Sequence, residues 1–306
     1  MPSPAIDPSF PISFLRLSET HAGWAAVPLF EDEDPGTLAG DPALAAGVAR
    51  AVAATGFVAR RFEALVVPAD EKEFKADALV LLGAGKVGEF TPDVARRLAS
   101  TCALLARGRG ASSVALLHRS GAGPTASLAA SIWAEAWAEG ATLAEFDPGR
   151  YKTAEEERKA MPPVTLVWPG LSEAERGGAR SAASRGQLVV RCANLARNLV
   201  NEPGNLLPPR LLAERARSLA DGTSLRVEVL EEPALHELGM GLLLGVARGS
   251  HEPPRLILVE HAPAGAPASP VLGFVGKGVT FDAGGISIKT AGGMDRMKDD
   301  MAGGAA

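Results

Sequence analysis

Short apolar runs alternate with alanine-rich stretches through the first half of the chain, and this alternation constrains the fold more than any other feature. The runs have the length of buried strands, and the alanine-rich stretches carry helix formers with glycine or proline at their ends. The predicted strands are Leu65–Val67, Ala78–Leu82, Val114–Leu117 and Val164–Trp168. The predicted helices are Asp41–Thr55, Pro92–Arg107 and Thr125–Gly140. Strands that alternate with helices build a largely parallel sheet covered by helices, so we expect an α/β domain.

A domain boundary is predicted near residue 175. A segment rich in proline and glycine, residues 169–178, ends the alternating pattern, and one long predicted helix, Ala179–Val200, follows it. The chain of 306 residues is long enough for two domains that each bury a core. We therefore assign residues 1–175 to an N-terminal α/β domain with a mostly parallel sheet, and residues 176–306 to a second α/β domain that the long helix enters.

The second domain contains fewer recognisable elements. Pro209–Ala220 has the pattern of a helix, and Leu225–Leu230 and Arg255–Glu260 have the pattern of strands. The apolar run Val271–Val275 predicts one further, buried strand.

Composition excludes several classes of function. The chain has 31 Lys and Arg against 36 Asp and Glu, a formal net charge of -5, which does not indicate a nucleic-acid surface. Cys102 and Cys192 lie far apart without metal-ligand or disulfide spacing, which favours a reducing compartment. The first residues lack the pattern of a secretory leader, and no apolar run reaches the roughly 20 residues that span a bilayer. We expect a cytoplasmic protein without a membrane partner.

One glycine-rich motif invites a different interpretation. Gly83–Gly88 follows the predicted strand Ala78–Leu82 and has the GxGxxG spacing of dinucleotide sites. Residues 89–92 then interrupt the helix whose N-terminus should face the phosphates, so the pattern favours a strand-to-helix turn over a nucleotide site. The five histidines form no HExxH or comparable pair and are predicted to be surface or capping residues: His21, His118, His236, His251 and His261.

A cluster of charged residues follows the predicted strand Val271–Val275. In open α/β sheets, ligands bind at the carboxyl ends of the strands. Asp282 and Asp300 offer oxygen ligands suited to divalent cations, and they converge if the chain folds back after Gly285. Lys277 could pair with a carboxylate or act as an amine ligand, and an ammonium at Lys289 could stabilise a developing oxyanion. The alternative is a set of solvated charges on a glycine-rich loop.

Two segments resemble a known family. Val275–Lys289, followed by Met297–Met301, resembles the signature of the leucyl (cytosol) aminopeptidases, which are two-metal peptidases. Asn198–Pro209 is similar to the segment with which members of that family enter their catalytic domain. The resemblance is specific over residues 190–306 and only architectural over residues 1–175.

The resemblance implies a role for each candidate site residue. It implies two divalent metal ions, zinc and/or manganese, that bind the amino terminus of a peptide and activate a water. Lys277, Asp282 and Asp300 would then be metal ligands, with Lys277 as the amine ligand and Asp282 as the bridging carboxylate. Lys289 would be catalytic by polarising the scissile carbonyl, and Met297 would line the pocket for a Leu-like side chain.

The resemblance also implies that the catalytic domain is incomplete. Family members continue past the position of Ala306 and supply an Asp/Glu/Arg motif that completes both metal sites. We therefore expect this chain alone to be inactive, and the full-length form to be a homo-hexamer that acts on peptides. The alternative is a non-catalytic scaffold or binding paralogue of the same fold, and the acidic balance argues against DNA as its partner.

Overall fold

The computed structural model describes residues 9–34, 38, 40–119, 127–153, 159–267 and 269–306. These residues divide into two compact units. The first, here the N-terminal unit, consists of Asp7–Asp147 and Thr153–Asn194. The second, here the C-terminal unit, consists mainly of Pro148–Lys152 and Leu195–Ala306.

The N-terminal unit is built on a six-stranded sheet in the order β1-β6-β5-β2-β4-β3. All neighbouring strands are parallel except β3, which runs antiparallel to β4 at one edge. The mostly parallel α/β sheet predicted from the sequence is therefore confirmed. The strands are β1 (Ile12–Ser13), β2 (Ala22–Leu29), β3 (Ala64–Pro68), β4 (Ala76–Gly83), β5 (Val114–Leu117) and β6 (Val164–Val167).

Side-chain caps begin the first two helices of this unit. Asp41 caps α1 by accepting a hydrogen bond from the Leu44 amide, and Thr91 caps α2 by accepting one from the Val94 amide. Both helices end at a glycine in the left-handed region. The predicted start of the third helix, Thr125, lies outside the described residues. The helices are α1 (Pro42–Thr55), α2 (Pro92–Arg109), α3 (Ala130–Leu143) and α4 (Glu173–Asn201).

The sheet buries both faces. In β4, Val80 and Leu82 pack on the side of α2 and α3, whereas Leu79 and Leu81 pack on the side of α1. Side chains that alternate in a strand point to opposite faces, so a strand buried on both is apolar throughout. This is why β4 was recognisable as a continuous apolar run.

The two cysteines have different surroundings. Cys102 lies in α2, where burial raises the pKa of its thiol to about 12. Cys192 lies on α4 and is exposed, and both residues are free thiols. Throughout the described part of the chain, every helix is too short or too polar to cross a membrane.

The C-terminal unit contains a two-stranded antiparallel sheet, in which Val227 of one strand pairs with Val259 of the other. Its elements are α5 (Pro209–Ala220), β7 (Leu225–Leu230), α6 (Glu232–Glu237), α7 (Gly241–Ala247), β8 (Leu256–His261), a 3-10 helix (Met294–Met301) and α8 (Ala302–Ala305).

The prediction of a buried strand at Val271–Val275 is wrong. This segment is not a strand, and Phe274 is 92% exposed. A strand needs a neighbour that pairs with its backbone, and β7 and β8 pair only with each other among the described residues. An apolar run in a sequence cannot reveal whether such a neighbour is present.

The long linker helix is longer than expected. It was predicted to begin at Ala179, but α4 begins at Glu173 and ends at Asn201. The division between the two compact units falls inside it, between Asn194 and Leu195. The boundary between residues 175 and 176 stays a prediction.

Candidate metal centre

The four charged residues singled out in the sequence form two lysine–aspartate pairs. Lys277 Nζ lies 2.7 Å from Asp300 Oδ1, and Lys289 Nζ lies 2.8 Å from Asp282 Oδ2. Lys277 and Asp282 also interact electrostatically, which links the pairs. All four side chains keep part of their surface in solvent.

A tight turn brings Lys289 back to Asp282. The Gly284 amide donates to Asp282 Oδ1 at 2.9 Å, and the Lys289 amide donates to the Ala283 carbonyl at 3.0 Å. Gly284 has a φ of +90°, and a Cβ at this position would lie 2.5 Å from the Ser287 carbonyl oxygen. The turn therefore requires a glycine at Gly284, as the glycine-rich sequence suggested.

The 3-10 helix Met294–Met301 carries Met297 and Asp300 to the same place. The Asp282 amide donates to the Met297 carbonyl at 3.1 Å, and Lys289 Nζ lies 3.3 Å from Met297 Sδ. On the other side, the Gly304 amide donates to the Lys277 carbonyl at 2.8 Å. The structure therefore brings together all five residues that the sequence analysis assigned to the site.

The charges of the pairs stabilise one another. The hydrogen bond from Lys289 lowers the pKa of Asp282, and the hydrogen bond from the Gly284 amide lowers it further. The hydrogen bond to Asp300 raises the pKa of Lys277, although desolvation opposes it. Asp282 is therefore a carboxylate and Lys277 an ammonium at neutral pH, so Lys277 here pairs with a carboxylate.

The carboxylate oxygens of the site are of the type that binds divalent cations. Asp300 Oδ2 is buried and has no hydrogen-bond partner within the described ranges. A buried carboxylate oxygen without a partner is costly, and a cation would satisfy it. Within those same ranges, no three His, Cys, Asp or Glu side chains lie close enough together to hold a metal ion. The described residues thus supply part of a coordination shell.

Sequence reasoning missed one contact of this site. Lys298 Nζ donates a hydrogen bond to the main-chain oxygen of Asn201, which lies 97 residues earlier. Lys298 belongs to the Met297–Met301 segment that carries the resemblance, and Asn201 belongs to Asn198–Pro209. The only sequence signal was the presence of both segments in one chain, and no spacing rule relates them.

The glycine-rich motif Gly83–Gly88 is a turn, as predicted. β4 ends at Gly83, a short 3-10 helix covers Val87–Glu89, and α2 begins only at Pro92. A Cβ at Gly83 would collide with the Arg60 carbonyl, so backbone packing accounts for that glycine.

The prediction of a surface or capping role is wrong for His118. Its ring stacks on Trp168 with a centroid separation of 3.5 Å, and its Nδ1 accepts a hydrogen bond from Trp137 Nε1 at 3.0 Å. Burial, followed by the charge of Arg119, lowers the pKa of His118 to about 3. His118 is therefore a neutral packing residue, which its isolated position in the sequence did not reveal.

Comparison with known proteins matches each half of the chain to one domain of one family. Residues 26–155 match the N-terminal domain of the cytosol aminopeptidase family, and residues 194–306 match its catalytic domain. The probable cytosol aminopeptidase of Solibacter usitatus is 43% identical over 232 residues, which are 76% of this chain and 46% of that protein. The one from Acidobacterium capsulatum is 40% identical over 269 residues, 88% of this chain and 52% of that protein.

Solved structures show the same fold. The bottromycin maturation enzyme BotP, in complex with Mn, has a TM-score of 0.71 at 29% identity, over 93% of this chain and 54% of that one. A variant of tomato leucine aminopeptidase has a TM-score of 0.77 at 23% identity, over 99% of this chain and 59% of that one.

The two matches thus describe a chain in which an N-terminal α/β domain is followed by a domain of the peptidase type. The chain belongs to the cytosol aminopeptidase family. It spans about half the length of the curated relatives that it matches.

Proposed function

We propose that the protein carrying this chain is a metal-dependent leucyl aminopeptidase, which releases N-terminal residues, Leu-like ones preferred, from peptides. The observation that carries the proposal is the convergence of Lys277–Asp300 and Lys289–Asp282 in the segment that matches the catalytic domain. The relatives' names and the Mn in the BotP structure support this assignment.

Each residue has a distinct role in this proposal. Asp282 and Asp300, together with Lys277 after its ammonium has lost a proton, would hold two divalent ions, zinc and/or manganese, which when bound supply Lewis acidity and lower the pKa of water. Lys289 is the catalytic cation: its ammonium stabilises the negative charge that develops on the oxygen of the scissile carbonyl. Met297, in contact with Lys289 Nζ, lines the pocket for the first side chain of the peptide.

The proposal extends to assembly and location. The active form is a homo-hexamer in the cytoplasm, in keeping with the family. The 306-residue chain alone binds metal weakly and has little peptidase activity, because two carboxylates leave each cation short of ligands. The intact mass of the natural protein tests whether its chain continues beyond residue 306. Hydrolysis of a leucine anilide by the 306-residue chain at an ordinary metalloenzyme rate would contradict the expected lack of activity.

The metal assignment is tested by exchanging one of two adjacent aspartates. We expect Asp300→Asn to weaken Mn²⁺ binding at least about tenfold, because it removes a charged ligand. Asp299→Asn is the matched control: Asp299 is exposed, and its substitution removes the same charge one residue away. Electron paramagnetic resonance of free Mn²⁺ measures both. Equal loss in the two variants would mean that general charge, and not ligation, holds the ion.

The role of Lys289 is tested separately in the form of the protein that hydrolyses leucine anilides. We expect Lys289→Met to lower kcat by about a hundredfold to a thousandfold, because removing an oxyanion partner has effects of this size. Mn²⁺ binding should persist. An unchanged kcat would exclude Lys289 as the catalytic cation.

A further inference from the structure

We propose that Lys298 is a positioning residue, which fastens the helix carrying Asp300 to the Asn198–Pro209 segment and so fixes the spacing of the two aspartates. This inference deepens the proposed function and rests on it for the role of the metal. Three contacts within the C-terminal unit carry it. Asn198–Pro209 is called the support segment below.

The first contact is the hydrogen bond from Lys298 Nζ to the main-chain oxygen of Asn201, the last residue of α4. The last carbonyls of a helix have no partner within the helix, and they lie at the negative end of its dipole. A lysine ammonium donates a hydrogen bond to such a carbonyl, and its positive charge interacts favourably with the dipole. Lys298 is thus held at a defined point, two residues from Asp300.

The second contact lies beneath Asp282. Phe281, the residue before it, packs on Gly204 of the support segment. A Cβ at Gly204 would lie 3.0 Å from Phe281 Cδ2 and 3.3 Å from Phe281 Cβ. The side chain that precedes Asp282 therefore lies directly against the support segment, and a Cβ at Gly204 would force it to shift by a few tenths of an ångström.

The third contact lies beside Asp300. Met301, the residue after it, is 1% exposed and packs in a small apolar cluster with Leu199 and Leu207. Leu199 and Leu207 belong to the support segment. Each aspartate thus has a chain neighbour anchored on the same twelve-residue segment.

The support segment is itself held in place. Glu202 is 7% exposed, and its carboxylate lies 3.1 Å from Arg215 of α5. The amides of Leu206 and Leu207 both donate to the Pro203 carbonyl, which closes the turn after α4. A segment fixed in this way can transmit a defined position to the side chains that rest on it.

Simple electrostatics and positioning predict opposite effects when Lys298 loses its charge. A nearby cation repels a metal ion, so its removal alone would strengthen metal binding. Loss of an anchor would weaken it, because a ligand that is no longer held in place binds less tightly. Residues that orient metal ligands change affinity by about 10-fold to 100-fold when they are lost.

The test compares Lys298→Met, Lys298→Arg and Arg296→Met. We expect Lys298→Met to weaken Mn²⁺ binding about tenfold and to speed amide hydrogen exchange over residues 294–301. Lys298→Arg keeps the positive charge and the hydrogen-bond donor, so its Mn²⁺ affinity and its hydrogen exchange should be those of the unsubstituted protein. Arg296 is exposed on the same helix, and Arg296→Met should leave exchange unchanged while removing the same charge.

The outcomes separate the two proposals. Unchanged or tighter Mn²⁺ binding by Lys298→Met, with exchange as in the unsubstituted protein, overturns the positioning role. The same loss of Mn²⁺ affinity in Arg296→Met overturns it as well. All variants are made in the form of the protein that hydrolyses leucine anilides. If the unsubstituted protein in that form binds no Mn²⁺, the proposed function fails, and the exchange measurement alone decides whether Lys298 anchors the helix.

Discussion

Each aspartate of the candidate metal centre already has a lysine partner, so a metal ion has to compete with two ion pairs. Both pairs keep part of their surface in solvent, and ion pairs that water reaches contribute little to stability. Asp300 Oδ2 takes part in neither of them. The pairs therefore hold the carboxylates in place without binding them so strongly that a divalent cation could not displace them.

Another prediction at the scale of the residue concerns His118. Protonation would place a hydrogen on Nδ1, which now accepts from Trp137 Nε1, so burial and the lost hydrogen bond both oppose it. The pKa of His118 is lowered from 6.5 to about 3. Because the unfolded chain binds this proton first, stability is present above pH 6.5 and is lost as pH falls towards 3.

Substitution of His118 should remove this dependence on pH. Between pH 6.5 and roughly pH 5, we expect His118→Gln to lose up to about 2 kcal/mol less free energy of unfolding than the unsubstituted chain. Urea unfolding at the two pH values measures the difference. His21→Gln, at an exposed histidine, is the control and should follow the unsubstituted chain. Parallel losses in all three chains would contradict the prediction.

At the scale of the element, helices α2 and α3 meet through a glycine. Gly140 lies in α3, and a Cβ there would overlap the main-chain carbonyl of Arg96 in α2. Ser100 Oγ also donates to the Gly140 carbonyl at 2.6 Å. The two helices thus approach at backbone distance, which a side chain at Gly140 would prevent.

Replacing two helical glycines by alanine should have opposite effects. Gly140→Ala forces α2 and α3 apart, and we expect it to destabilise the chain by about 1–3 kcal/mol. Gly177, in α4, has open space around it, so Gly177→Ala should stabilise the helix by up to about 1 kcal/mol. Thermal or urea unfolding compares the two variants. Stabilisation by both substitutions would show that helix propensity, and not the close approach, decides at Gly140.

The sequence predicted those elements whose signal is local. β5 and α5 have the predicted bounds, because apolar runs and proline starts are local signals. β2 was missed although it lies inside the sheet, since Ala22–Leu29 is rich in alanine and contains glycine and proline. Its burial depends on the helices that cover it, which the segment itself does not specify.

The candidate site shows the same limit. The residue types and their glycine-rich spacing identified Lys277, Asp282, Lys289 and Asp300. Which lysine pairs with which aspartate depends on how the turn at Gly284 and the 3-10 helix meet. The glycines indicated the turn, but no sequence pattern indicated the 3-10 helix. The anchor at Lys298 depends on a contact between distant segments, which a single sequence does not encode as a spacing.

At the scale of the whole molecule, an apolar stretch lies open to solvent. Val271, Leu272, Phe274 and Val275 are between 79% and 103% exposed. Soluble monomers seldom leave adjoining large apolar side chains uncovered, because burying them is favourable. The isolated 306-residue chain should therefore associate with itself.

This association should depend on the apolar stretch and be weakened by charge. We expect the chain to sediment as oligomers at micromolar concentration and to become more monomeric with Phe274→Lys. Leu15→Lys, at an exposed leucine of the N-terminal unit, is the control and should leave the distribution unchanged. Sedimentation velocity measures both. A chain that is monomeric without any substitution would contradict the prediction.

Because one thiol is exposed and the other is buried, the rates at which they react can report when the N-terminal unit unfolds. A disulfide reagent reaches an exposed thiol and not a buried one, so a coloured reagent should react with one equivalent, Cys192, while the N-terminal unit stays folded. The second equivalent appears only when α2 leaves the core and Cys102 reaches water. The delay between the two colour changes therefore times the opening of that unit, with no label added to the protein.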